Sequence, residues 1–388
     1  MQRSLYLQLG TSNIRGAVEA NLKESALPEA TFIIQCTVRR IYDGLLTQYR
    51  VDQTRLTNHY LESSKKGLLT AMGEFRRLGQ SGFRIESLIH SSLSLIYSLL
   101  AESEASLSHA QKHVELWEAN PHFVAEDPGR YRIAISNLLS KYVGFGQYPP
   151  MAILIEKLKK IPPADLEDEA AIFQHVSFFE HCYLMGSGML SEAASLISGT
   201  IAGLKKHGSK ISKARELAIW MNFAFNQFIL GDFRQALKFV NRIINEERTE
   251  QRLDIQFSAK LLLMMIHFEL ENFDLLEHLI ASTSKQFREL ERIGKLEKAI
   301  VSFLKKSLGF RNRAEFDQAL EKFKYSVTES DMADLPGIYH LLLLWIVSKK
   351  TKKKLAAVYR EALSASLPGP SLIPDTEGFP PLLHKPQR

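Results

Sequence analysis

A large side chain returns about every 42 residues along this chain: Leu107, Tyr148, Leu190, Phe233, Phe273 and Phe316, at intervals of 41, 42, 43, 40 and 43. Three positions after each stands a second residue, small or aliphatic in most copies: Ala110, Met151, Ala193, Ala236, Leu276 and Ala319. Self-similarity at a period of roughly 20–50 residues is what stacked repeats leave in a sequence. The residues between the anchors select helices. Trp220, Phe223, Ala224 and Phe228 share one helical face, and a second face follows in Phe233, Ala236, Leu237, Val240, Ile243 and Ile244. Between them, Gly231 is suited to the left-handed conformation that ends a helix, and Asp232 to capping the next one.

This helical hairpin recurs. Ile135, Leu138 and Tyr142 lead through Gly146 to Tyr148, Met151, Ile155 and Leu158. Gly188 precedes Leu190, Ala193 and Ile197, and Leu263, Ile266 and Leu270 lead through Glu271-Asn272 to Phe273, Leu276 and Ile280. Leu107, Ala110, Val114 and Trp117 open the series, stopping at Asn120-Pro121, and Phe316, Ala319 and Phe323 close it. Strand-like alternation bounded by Asn-Gly or Asp-Gly turns is almost absent. The expected fold is all-α, a solenoid in which hairpins bury their apolar faces on one another. Tyr148, Phe233 and Phe273 are expected between hairpins, buried.

Four regions follow. Residues 1–90 read as N-terminal helices, Phe32–Tyr49 and Thr57–Leu78 among them, with Ile14 and Ala17 in a further degenerate copy. Residues 91–330 form the array. Residues 331–366 read as capping helices, Leu335–Val347 and Lys354–Leu363. From 367 to 388 the chain is proline-rich (Pro368, Pro370, Pro374, Pro380, Pro381, Pro386), which favours an extended or disordered tail.

The 49 basic and 43 acidic side chains give a net charge of +6 and a pI near 9.1. That balance permits an acidic partner without demanding one. Cys36 and Cys182 are too few and too far apart for a disulfide framework, and free thiols suit a reducing compartment. The opening Met1–Leu5 lacks the apolar core of a secretory signal, and the longest apolar run, Leu341–Val347, is too short to span a bilayer. A soluble, cytoplasmic protein is expected, without membrane contact.

The hairpins resemble the tetratricopeptide repeat superfamily. Trp220, Phe223, Ala224, Gly231, Ala236 and Val240 sit at matching offsets, as do Leu138, Tyr142, Gly146 and Pro163. The likeness covers about residues 90–330. It departs in a period near 42 rather than the usual ~34, in Leu139 and Ala224 at the close-packing glycine position, and in missing terminal prolines. The whole chain looks like the divergent tetratricopeptide-like proteins of bacteria. The resemblance implies a right-handed α-α superhelix whose first helices line a concave groove, and no particular activity.

Motifs for catalysis are missing: the sequence has no Gly-x-Ser-x-Gly, phosphate-binding loop or His-Glu-x-x-His. Gly186-Ser187-Gly188 falls at an inter-helix turn. His175, Glu180, His181 and Cys182 form the densest set of metal-ligand types, but His175 and His181 stand six apart and do not share a helical face. Asp165, Glu167, Asp168 and Glu169 follow Pro162-Pro163, where acids suit a helix N-terminus. No cofactor and no metal is expected.

Two observations bear on binding. Asn137 and Lys141 precede Tyr148 by eleven and seven residues, and Asn222 and Asn226 precede Phe233 by the same intervals. Each pair shares a face of a first helix, and side-chain amides donate and accept together. With the groove that the resemblance implies, these four are the candidate ligand-binding residues for a peptide or partner protein. The alternative is an RNA- or DNA-binding solenoid using Lys349–Lys354 and the stretch Lys205, Lys206, Lys210, Lys213 and Arg215. The expected function is a scaffold or adaptor without catalysis.

Overall fold

The computed structural model describes residues 14–51, 55–79, 82–246, 252–289, 301–306, 309, 313–325 and 337–365, and every regular element among them is helical. The proline-rich segment 367–388 and the side chain of Phe316 lie outside the described residues. The chain divides into two compact units, residues 1–134 and 135–388. Residues 90 and 91, the expected boundary, both lie in helix Phe83–Leu99.

Unit 1 holds α1 (Ile14–Val51), α2 (Asn58–Arg77), α3 (Phe83–Leu99), α4 (Ser103–Glu118), α5 (Pro121–Glu126) and the start of α6 (Pro128–Gly144). The two elements expected around Ile14 and Phe32 are one helix of 38 residues. Thr57 starts α2 by accepting the Tyr60 N–H at 3.2 Å. Helices α3 and α4 form the first regular hairpin, burying Ile85, Ile89, Leu93 and Ile96 with Ala110, Val114 and Trp117. Ser94 and Ser106 donate to each other's backbone carbonyls at 3.0 and 2.8 Å, stitching the pair.

Unit 2 holds the rest of α6, then α7 (Met151–Lys159), α8 (Leu166–Gly186), α9 (Leu190–His207), α10 (Lys213–Leu230), α11 (Phe233–Ile244), α12 (Leu253–Glu269), α13 (Phe273–Glu289), α14 (Arg313–Tyr325), α15 (Ile338–Thr351) and α16 (Leu355–Ser364). From α7 to α13 each helix packs on the next, and the first helices α8, α10 and α12 also pack on one another. The turns are built as the sequence specifies. Asp165 accepts the Asp168 N–H at 2.8 Å, with Glu167, Asp168 and Glu169 in the first turn of α8. Gly231 ends α10 at φ +85°, and Asp232 caps α11 by accepting the Gln235 N–H at 3.1 Å.

The repeat phase differs from expectation in one respect. Tyr148 and Leu190 are buried, but Phe233 is half-buried and Phe273 is 46% exposed. The residues three positions on are buried in five of the six copies, Ala110, Met151, Ala193, Ala236 and Leu276, and Ala319 is half-buried. Leu190, Phe233 and Phe273 are the first residues of their helices, so their side chains stand over the turn. One turn later the chain faces the preceding helix, and there a small residue permits close approach.

The C-terminal hairpin departs most from a repeat array. A terminal cap contacts only the last repeat. Helix α15 pairs Lys350 with Glu321 of α14 but also packs on α12, and α16 packs on α10, three hairpins earlier in sequence.

Candidate interaction surface

Helices α10 and α12 are buried all round. Nine consecutive residues of α10, Leu217 to Phe225, are buried, as are the six from Leu261 to Ile266 in α12. By contrast α11 buries only Ala236, Val240 and Ile243, a single stripe. A helix that is apolar on every face needs neighbours on every face. For α10 these are α8, α9, α11, α12 and α16. This apolar circumference is the sequence signal that announces a covered first-helix row.

In three of the row's four polar contacts the amide's partner is a backbone group. Asn226, fully buried, donates from Nδ2 to the Leu190 carbonyl at 3.1 Å. Gln174 of α8 accepts the Ser212 N–H at 3.0 Å, at the start of α10. Gln256 of α12 donates to the Ile243 carbonyl at 2.8 Å. Asn222, 1% exposed, donates to Cys182 Sγ at 3.3 Å. Asn226, Gln174 and Gln256 grip backbone, as their chemistry suggests, but the backbone is the protein's own, and Asn222 reaches a thiol of α8. Asn222 and Asn226 therefore join hairpins and present nothing outward. Asn137 and Lys141 are half-buried on α6, and desolvation lowers the Lys141 ammonium to about 8.

The metal-ligand types scatter. His175 shares a 2.7 Å hydrogen bond with Ser136, Glu180 accepts from Lys159 at 2.7 Å, and buried His181 packs edge-on to Phe223. Among the described residues no group of three or more His, Cys, Asp or Glu side chains converges. The basic stretches are engaged internally. Lys349 pairs with Glu269, Lys350 with Glu321, and Lys353 with Glu361. Lys206 pairs with Glu169, Lys210 with Glu167, and Lys213 with Glu216 and Glu246. Arg215 is buried, its guanidinium 4.3 Å from the Phe178 ring centroid.

What does meet the row is the C-terminal hairpin, and sequence reading missed it. Tyr359 of α16 is fully buried, and its hydroxyl donates to the Met185 carbonyl at 3.2 Å. Burial, with Tyr148 and Cys182 nearby, holds this phenol far above its ordinary range. Arg360 donates from Nε to the Gly188 carbonyl at 3.1 Å. Trp345 of α15 sets its ring edge-on to Phe268 at 5.4 Å and donates to Glu269, which also accepts Lys349 at 2.6 Å. Beneath Tyr359 the floor is tight: a Cβ on Gly186 would come within 2.1 Å of the Tyr148 ring. No protein-family model and no curated protein matches the chain. No helix among the described residues is long and apolar enough to cross a membrane.

Proposed function

We propose that this protein is a non-catalytic interaction protein of tetratricopeptide-like build, a superhelical array that engages a helix or peptide of a partner protein along its first helices. The observation that supports this is the row α8, α10 and α12, on which a separate helical hairpin is already seated. Helix-in-groove recognition needs a continuous apolar row with a few oriented polar groups at its margin. The row supplies the first, and the Met185 and Gly188 carbonyls with the Glu269 carboxylate supply the second. The internal pairing of Lys206, Lys210, Lys213, Lys349, Lys350 and Lys353 weighs against the nucleic-acid alternative, because neutralised lysines release few phosphate counterions.

The test is affinity capture with the full-length chain from its own cell extract, with and without nuclease, followed by reconstitution of the captured protein from purified components. The expected result is a nuclease-resistant partner that binds in reconstitution. Capture that disappears with nuclease, leaving nucleic acid bound, contradicts the proposal.

A further inference from the structure

The polar contacts of the C-terminal hairpin fall at matching places. Tyr359 and Arg360 reach the Met185 and Gly188 carbonyls, where α8 ends at Gly186. Trp345 and Lys349 reach Glu269, the last residue of α12. The final carbonyls of a helix lack intrahelical partners and carry the negative end of its dipole. N–H and O–H donors, cationic ones above all, satisfy such an end. The hairpin brings such donors to the carbonyls where α8 ends, and at the end of α12 it brings them to the Glu269 side-chain carboxylate.

Its apolar anchoring is concentrated. Trp345 and Tyr359 are 1% and 0% exposed, while Arg360 is exposed and lies with Leu363 over Gly188. Gly188 has φ +76°, and a Cβ there would stand 3.5 Å from the Arg360 stem. Two buried aromatics ringed by oriented donors is the anatomy of a recognition hot spot. The joined sequence positions lie far apart, 174 residues for Tyr359 and Met185. A tether gives such a segment an effective concentration, and an untethered ligand of the same chemistry competes against that concentration.

We propose that the first-helix row is a helix-docking site, occupied in cis by α15–α16 and open in trans to a partner helix that presents an adjacent tyrosine and arginine. This rests on the interaction-protein reading and adds what that partner must carry. The resident hairpin holds the site until such a helix displaces it.

The experiment uses a fluorescently labelled synthetic peptide of residues 337–365 and full-length chains, read by anisotropy. The wild-type chain, its site filled, binds the peptide weakly. A full-length Tyr359→Ala variant binds it about 10-fold or more tighter, because its competent site is more often empty. A full-length Arg360→Ala variant, altered only at an exposed side chain, gains about 3-fold by the same arithmetic and decides the matter if Tyr359→Ala fails to fold. Equal affinity for the wild-type and Arg360→Ala chains overturns the proposal. The outcomes separate the two readings. Tighter peptide binding without any protein partner keeps the docking site and removes the interaction function. A reconstituted partner with no gain in peptide binding keeps the function and makes the hairpin a fixed part of the core.

Discussion

At the residue scale, the close contacts fall where a side chain is small. Tyr148 lies against Gly186, and Phe173 lies against Gly203, where a Cβ would come within 2.2 Å of the ring. Gly186→Ala is expected to destabilise by about 1–3 kcal/mol through overpacking. Tyr148→Ala is expected to cost about 3–5 kcal/mol and Phe273→Ala, on an exposed side chain, under about 1 kcal/mol. Urea titrations of the three variants check this ordering. A second residue-scale feature lies in unit 1. His90 Nδ1 and His109 Nδ1 meet at 2.9 Å, and His113 bonds to Ser87 at 2.9 Å and accepts the Trp117 indole N–H at 3.1 Å. Burial first, then His109 and Lys112 nearby, lowers His90 to about 4; burial, then Lys112, lowers His109 to about 4; and burial lowers His113 to about 3. All three are neutral in the folded state, while the unfolded chain takes up protons below its ordinary pKa near 6.5. Their stabilisation is therefore complete above that value and is lost as pH falls from there towards about 4, by at most roughly 1.4 kcal/mol per pH unit for fully buried His113 and by less for the solvent-screened His90 and His109. Melting of the chain at pH 7.5, 5.5 and 4.5 checks the slope, and His109→Asn should reduce it.

At the element scale, the helix ends carry local chemistry. Removing the cap in Asp232→Ala should cost about 1 kcal/mol, read from the denaturation midpoint. Such elements were legible because their signals are local: Thr57, Asp165 and Asp232 cap, Gly231 stops, and the periodicity marks the buried stripe of α11. The repeat phase was legible to within one helical turn. The recurrent large residue marks where each hairpin turns, and burial belongs to Ala193, Ala236 and Leu276 one turn on. The candidate site was less legible. The pairing of Asn222 with Asn226 was visible, but not that both amides face inward. An apolar stripe and a helix apolar all round differ only in the residues between, Ala218, Met221, Phe225 and Ile229, all of them buried. Part of that cover comes from far along the chain: α16, more than a hundred positions away, packs on their helix.

At the scale of unit 2, the C-terminal hairpin turns a series of neighbouring hairpins into a closed arrangement, because α15 and α16 pack on α12 and α10 rather than only on the preceding copy. The most direct measurement is the distance between spin labels at Ser191→Cys and Ser364→Cys, two exposed positions, with exposed Cys36 changed to Ser and buried Cys182 kept. With Leu363 seated over Gly188, the labels should lie within about two helix diameters, roughly 20–25 Å, in a single narrow distribution. A stack with neighbour contacts alone, at ~8–10 Å per helix layer, would separate them by roughly 30–40 Å, and a distribution centred there would contradict the docking of α16 on the first-helix row.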